Sequence, residues 1–135
     1  MITAATAVVL AVEDEPRNSA LLRAIIRPPR YELHLVPSLA EARRWLLRAT
    51  PAIVLLDRRL PDGDGLDLVP EIRGAPQNAG CPVVLVSASA LPADRIAADV
   101  AGCDAFIAKP IRVRELLDEM ARQIERRRST PKLAH

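Results

Sequence analysis

The sequence predicts an α/β domain, a doubly wound five-stranded parallel sheet with helices on both faces. Three observations predict it. Five short apolar runs alternate with five segments of helical spacing, which is the order of repeated βα units. One run, Ile53-Val54-Leu55-Leu56, is apolar throughout and half β-branched, as suits a strand buried on both faces. That run delivers Asp57 at its C-terminal end, and the loop behind it holds Pro61, Asp62, Gly63, Asp64 and Gly65, so the chain must turn sharply there.

The elements follow in order. Ala7 to Val12 reads as the first buried strand and ends in Glu13-Asp14-Glu15-Pro16. Pro16 suits the first turn of a helix, where its missing N–H is no loss, and the acids beside it suit the positive end of the helix dipole. Leu21, Leu22, Ile25 and Ile26 are the apolar side of that helix, and Pro28-Pro29 stops it. Tyr31 to Val36 alternates apolar and polar residues, as an edge strand with one wetter face does. Ser38 and Glu41 have the spacing of a capping box, and the helix they open carries Ala42, Trp45, Leu46 and Ala49 inward. Ile53 to Leu56 is the third strand.

Gly65 to Arg73 is expected to be a third helix, kinked or shortened at Pro70, because a mid-helix proline loses a hydrogen bond and clashes one turn back. Gly74 to Cys81 is a loop. Pro82 to Val86 is the fourth strand and ends in Ser87-Ala88-Ser89. A fourth helix runs from Pro92 to about Ala101 and closes at Gly102. Ala105 to Ala108 is the fifth strand, ended by Lys109-Pro110. The last helix carries Val113, Leu116, Leu117, Met120 and Ile124 on one stripe and runs out in Arg126-Arg127-Arg128, where the dipole favours positive charge. Residues 1–128 are expected to form the domain and 129–135 a frayed tail. Right-handed crossovers then give a parallel sheet, for which the flavodoxin-like order 2-1-3-4-5 is one common solution.

The chain has 135 residues, enough to bury a core of its own, and a net charge of +2. Such a charge makes no basic field for nucleic acid, and Tyr31, Trp45 and Phe106, the full set of aromatics, make no stacking platform for bases. The three arginines near the C-terminus read as a solvated helix end. Cys81 and Cys103 match no zinc or redox spacing and fit free thiols in a reducing compartment. The apolar run Ala4 to Val12 is too short for a membrane span and lacks the basic flank of a signal peptide. A cytoplasmic protein with no nucleic-acid and no membrane partner is expected.

Ligands of open α/β sheets sit outside the carboxyl ends of the strands. Just past those ends lie Glu13 and Asp14, then Asp57, then Ser87, then Lys109. Crowded carboxylates repel one another, and hard oxygen ligands with room for waters select Mg²⁺. A free carboxylate beside Mg²⁺, a lysine and a hydroxyl can take a phosphoryl group. Asp57 would attack phosphorus, the metal and Lys109 would neutralise the equatorial oxygens, and Ser87 would donate a hydrogen bond. Cys103, His34 and His135 lie at no such strand end and receive no role.

With these residues in view, the chain from about Val8 to Ile124 resembles the receiver domain of two-component response regulators. The resemblance rests on Val12-Glu13-Asp14-Glu15-Pro16, on Leu56-Asp57 with Leu60-Pro61-Asp62-Gly63-Asp64-Gly65, on Val86-Ser87-Ala88, and on Gly102 to Pro110. It implies that Asp57 accepts a phosphoryl group from a sensor histidine kinase or a histidine phosphotransfer protein. It implies that Asp14, Asp57 and the backbone carbonyl of Arg59 bind Mg²⁺ directly, and Glu13 through water. Ser87 and Phe106 look like the family's switch pair, and Lys109-Pro110 like its cis peptide. The family's partner surface would lie on the fourth helix, fifth strand and fifth helix, with a homodimer through the last two helices as a further expectation.

The chain departs from the family in three places. Glu13 stands where Asp is more frequent. Arg58 and Arg59 follow the acceptor directly, and Arg59 is expected to reach Glu13 or Glu15 and shield an aspartyl phosphate from water. Pro70 breaks the third helix. Two alternatives stand beside a stand-alone switch: a piece of a larger response regulator or hybrid kinase, and an Asp-nucleophile phosphatase of the haloacid dehalogenase type. The phosphatase needs a second acid where Arg59 stands. The receiver reading is of a phosphoacceptor with at most self-phosphorylation from small donors and self-dephosphorylation, rather than an enzyme.

Overall fold

In the computed structural model, which describes residues 5–129, five parallel strands form one sheet. They are β1 (Ala7–Val12), β2 (Tyr31–Val36), β3 (Ile53–Asp57), β4 (Val83–Ser87) and β5 (Ala105–Ala108), in the spatial order β2-β1-β3-β4-β5. The helices are α1 (Pro16–Ile25), α2 (Leu39–Arg48), α3 (Leu68–Gly74), α4 (Pro92–Ala101) and α5 (Val113–Ser129). This is the flavodoxin-like order, with β3 at the centre and β2 at one edge. The helix α5 reaches Ser129, one residue past the expected domain end, and the rest of the expected tail lies outside the described residues.

Strand alternation builds two cores. Leu10, Val12, Val54, Leu56, Val83 and Leu85 face Leu39, Ala42 and Leu46 of α2, Leu68, Val69 and Ile72 of α3, and Ala98 of α4. Val9, Ala11, Ile53, Leu55, Val84, Val86 and Ile107 face Leu22 of α1, Ile26 just beyond it, and Leu116, Met120 and Ile124 of α5. Because β3 is covered on both sides, all five of its residues are buried, Asp57 included. No described helix is long and apolar enough to cross a membrane.

Local chemistry explains most boundaries. Glu15 caps α1 by accepting from the Asn18 N–H at 2.9 Å, and Pro16 occupies the first turn. Ser38 Oγ accepts from the Glu41 N–H at 3.2 Å at the start of α2. Gly102 ends α4 at φ 104°, a left-handed conformation that glycine adopts without a Cβ penalty. Of the kink or shortening expected at Pro70, the structure shows the shortening. Gly65–Asp67 form a 3-10 turn capped by Asp64, and the α-helix starts only at Leu68. Pro70 therefore sits in the first turn, where no intrahelical partner awaits its missing N–H. Ala49 is corrected: α2 ends at Arg48, and Ala49 is its exposed C-cap.

Candidate functional site

The carboxyl edge of the sheet gathers residues from four strand ends. Glu13 follows β1, is 5% exposed, and accepts from the Glu15 N–H at 3.1 Å. Asp14 beside it is exposed, and Asp57 closes β3 at 8% exposure. Carboxylate oxygens of Glu13, Asp14 and Asp57 all lie within 4.8 Å of one another. Lys109, just past β5, donates from Nζ to Glu13 Oε1 and to Asp57 Oδ2, each at 3.1 Å.

Three carboxylates against one ammonium leave two negative charges when all are ionised. Burial, and then the charge of Asp57, push the Glu13 carboxyl above its usual range, although the Glu15 N–H and Lys109 pull the other way. Burial works against the charge of Lys109, but Asp57 and Glu13 outweigh it and hold the ammonium pKa above its usual value. The excess negative charge and the hard oxygen donors fit a divalent cation.

Ser87 closes β4, is 4% exposed, and stands opposite Ala108 in the sheet register. Its carbonyl accepts from the Lys109 N–H at 2.8 Å, so the two strand ends are fastened together. Its hydroxyl oxygen accepts from the Ser89 N–H at 3.2 Å. Phe106 lies further back, opposite Leu85 in β5, half-buried against the α4 side of the core. The Arg95 guanidinium covers its ring at 4.6 Å from the centroid. The Lys109-Pro110 peptide is cis.

Arg59 does not go where it was expected. It pairs with Asp64 in a two-residue antiparallel hairpin, Arg59–Leu60 against Gly63–Asp64, and its side chain is exposed. Among the described residues it makes no ion pair with Glu13 or Glu15; Lys109 occupies Glu13 instead. The physical reason is the hairpin, which turns residue 59 outward from the acid cluster.

A sequence profile described as the response regulator receiver domain matches residues 9–121. The chain belongs to the response regulator receiver domain family. This receiver is 33% identical over 109 residues to the probable transcriptional regulatory protein TcrX of Mycobacterium tuberculosis, covering 81% of this chain and 46% of that protein. It is 33% identical over 125 residues to the KDP operon transcriptional regulatory protein KdpE of Escherichia coli, covering 90% of this chain and 53% of that protein. The chain thus spans about half the length of these curated relatives. Among solved structures, the receiver domain of the sensor histidine kinase PA1611 from Pseudomonas aeruginosa superposes with a TM-score of 0.82 at 33% identity. The match covers 90% of this chain and 99% of that one, and that structure has magnesium coordinated in its active-site cleft.

The contacts of three residues beside the site were not foreseen from the sequence. Asp62 accepts from the Leu39 and Ala40 N–H groups at 2.9 and 3.0 Å, fastening the loop behind Asp57 to the start of α2. Arg58 donates to Asp64 and Asp94. Asp94, the third residue of α4, accepts from the Leu91 N–H at 3.0 Å. Only Asp94 had a local signal, an acid in a helix's first turn three residues after its cap.

Proposed function

We propose that this receiver is a signalling switch in which Asp57 takes a phosphoryl group from the phosphohistidine of a sensor histidine kinase or of a histidine phosphotransfer protein. One observation carries the reading: Lys109 bridges Glu13 and Asp57 while three carboxylates converge beside it. Asp57 attacks phosphorus, the N–P bond of the donor breaks, and the imidazole leaves as Asp57 gains an O–P bond. Lys109 moves its ammonium from a carboxylate to a phosphoryl oxygen. Glu13, Asp14, Asp57 and the Arg59 backbone carbonyl are the groups that would hold Mg²⁺, which would supply charge neutralisation during the transfer.

In the same reading the Ser87 hydroxyl moves to donate to the phosphoryl group and the Phe106 ring turns inward, altering the α4-β5-α5 surface. Leu91, just before α4, and Ile96 and Val100 on it are exposed at 66%, 63% and 81%, and Val113 opens α5 at 42%. That apolar surface supports a downstream protein partner or a homodimer there. No nucleic-acid contact is assigned to these residues. A cytoplasmic place fits Cys81 and Cys103, both free thiols. Wild-type protein incubated with a small phosphodonor and Mg²⁺ should gain the mass of one phosphoryl group, and Asp57→Asn should not. Equal gain by both variants, or none by wild type, would overturn the reading.

A further inference from the structure

The β4–α4 loop is fastened to the acceptor's own loop by contacts that phosphoryl transfer does not use. Arg58, next to Asp57, donates from Nη1 to Asp94 Oδ1 at 3.0 Å and from Nε to Asp64 Oδ2 at 3.3 Å. Asp94 Oδ2 accepts from the Ser89 hydroxyl at 2.5 Å and from the Leu91 N–H at 3.0 Å. The Ser89 N–H donates to Ser87 Oγ at 3.2 Å. The chain of contacts therefore begins beside the acceptor and ends on the hydroxyl at the next strand's tip. The paired side chains are largely covered, Arg58 at 27% and Asp94 at 19% exposure.

The geometry points to a latch: Arg58, Asp94 and Ser89 hold the Ser87 hydroxyl toward its own loop, and the latch must give way before Ser87 can serve a phosphoryl group on Asp57. The inference rests on the phosphoacceptor reading. Strand alternation puts Ser87 in line with Val83 and Leu85, on the α2–α4 side, and Asp57 in line with Ile53 and Leu55, on the α1–α5 side. Serving the acceptor thus requires the hydroxyl to change rotamer or the loop to move. A rotamer change alone strips the Ser89 N–H of its acceptor. Loop movement is opposed because Asp94 holds both Ser89 and Leu91 and is itself held by Arg58. Arg58 and Asp94 are positioning residues that act through Ser89. A partly exposed ion pair biases such a balance modestly, by about twofold to fivefold.

The test uses beryllofluoride, a phosphoryl mimic, titrated with Mg²⁺ into the full chain and followed by NMR. Arg58→Ala should tighten the apparent affinity by about twofold to fivefold. Arg58→Lys, which keeps the charge, should return most of the wild-type value. Asp94→Asn should act like Arg58→Ala, and serves in its place if that variant folds poorly. In a Ser87→Ala background the gain should vanish, because the tether then has no hydroxyl to hold. Unchanged or weaker affinity with Ser87 present, or the same gain without it, overturns the latch. If wild type takes up no beryllofluoride, the phosphoacceptor reading fails on its own account. The latch is then judged by hydrogen exchange at the Ser89 amide of the free protein: faster exchange in Arg58→Ala supports it, and unchanged exchange overturns it.

Discussion

Replacing Gly65 by alanine tests whether the loop behind β3 fixes Asp57 in place. The Gly65 N–H donates to the Arg58 carbonyl at 2.6 Å and draws the loop back against the strand end. A Cβ at position 65 would fall 2.0 Å from the Asp57 carbonyl oxygen, 3.0 Å from its carbonyl carbon and 3.2 Å from Arg58 Cα. All three are backbone atoms and cannot swing aside as a side-chain tip would. Carbon and oxygen normally approach to about 3.3 Å, so loop and strand must part by roughly 1 Å. Overpacking of a fixed site costs about 1–3 kcal/mol, and the entropy that alanine removes from the unfolded chain returns about 0.4–1 kcal/mol. The expected loss is about 2 kcal/mol in urea unfolding of the metal-free chain. Because Asp57 itself is displaced, Mg²⁺ affinity should fall by about tenfold or more. Gly74→Ala is the control: nothing lies within 4 Å of its Cβ at the exposed end of α3, and a gain of about 0.5 kcal/mol is expected. A Gly65→Ala chain within about 0.5 kcal/mol of wild type, with unchanged Mg²⁺ response, would refute the reasoning.

Three further predictions concern single charges. Two backbone N–H groups at the start of α2 hold the Asp62 carboxyl below its ordinary value of 3.8. Its stabilisation is therefore complete above that value and lost as pH falls through the lowered one, so Asp62→Ala should reduce Tm at neutral pH by a margin that closes in acid. Glu13 has the opposite sign: with its carboxyl pushed above 4.5 by burial, its contribution favours folding below that value and is lost as pH rises through the raised one. Glu13→Gln should thus raise the Tm of the metal-free chain at pH 7 and shrink the further gain on adding Mg²⁺; a lower Tm would contradict this. Arg59→Ala should leave aspartyl-phosphate decay within about twofold of wild type, since the side chain is exposed and pairs with neither acid. A severalfold faster decay would restore the shielding role.

The strands were legible because each is a run of apolar residues closed by a turn former or an acid, and their ends came within a residue of those observed. The start of the third helix was misplaced for a reason internal to its sequence. Gly65 to Arg73 looks like one helix with a proline inside, but Asp64 caps a 3-10 turn first, and that offset of three residues moves Pro70 to a harmless place. Local spacing cannot tell a helix that starts at Gly65 from one that starts at Leu68. The Arg58–Asp94 and Asp62–Leu39 contacts were illegible for a different reason. Their partners stand 36 and 23 residues apart, and no periodicity along the chain signals a tertiary ion pair or a cap supplied from a distant loop.

The acids and the lysine could be placed because strand ends in a parallel sheet share one edge, so position in sequence already fixes position in space. What the edge does not reveal is which side of the sheet each group faces. Glu13, Asp57 and Lys109 continue the alternation of residues on the α1–α5 side, and there Lys109 reaches both acids. Ser87 continues the other side and turns its oxygen to its own loop. The separation has a consequence for switching. A hydroxyl already seated at Asp57 would make the charged and uncharged forms of the site alike in shape. If Ser87 serves a phosphoryl group on Asp57, as proposed above, its hydroxyl must cross from the far side, and the loop that carries it leads directly into α4, which would couple charge at one strand end to that helix. The same crowding of acids that holds a cation also opposes folding without it, since the Glu13 carboxyl is forced above its usual range. Site and fold therefore pull in opposite directions until the remaining charge is neutralised, and a cation at that edge strengthens both.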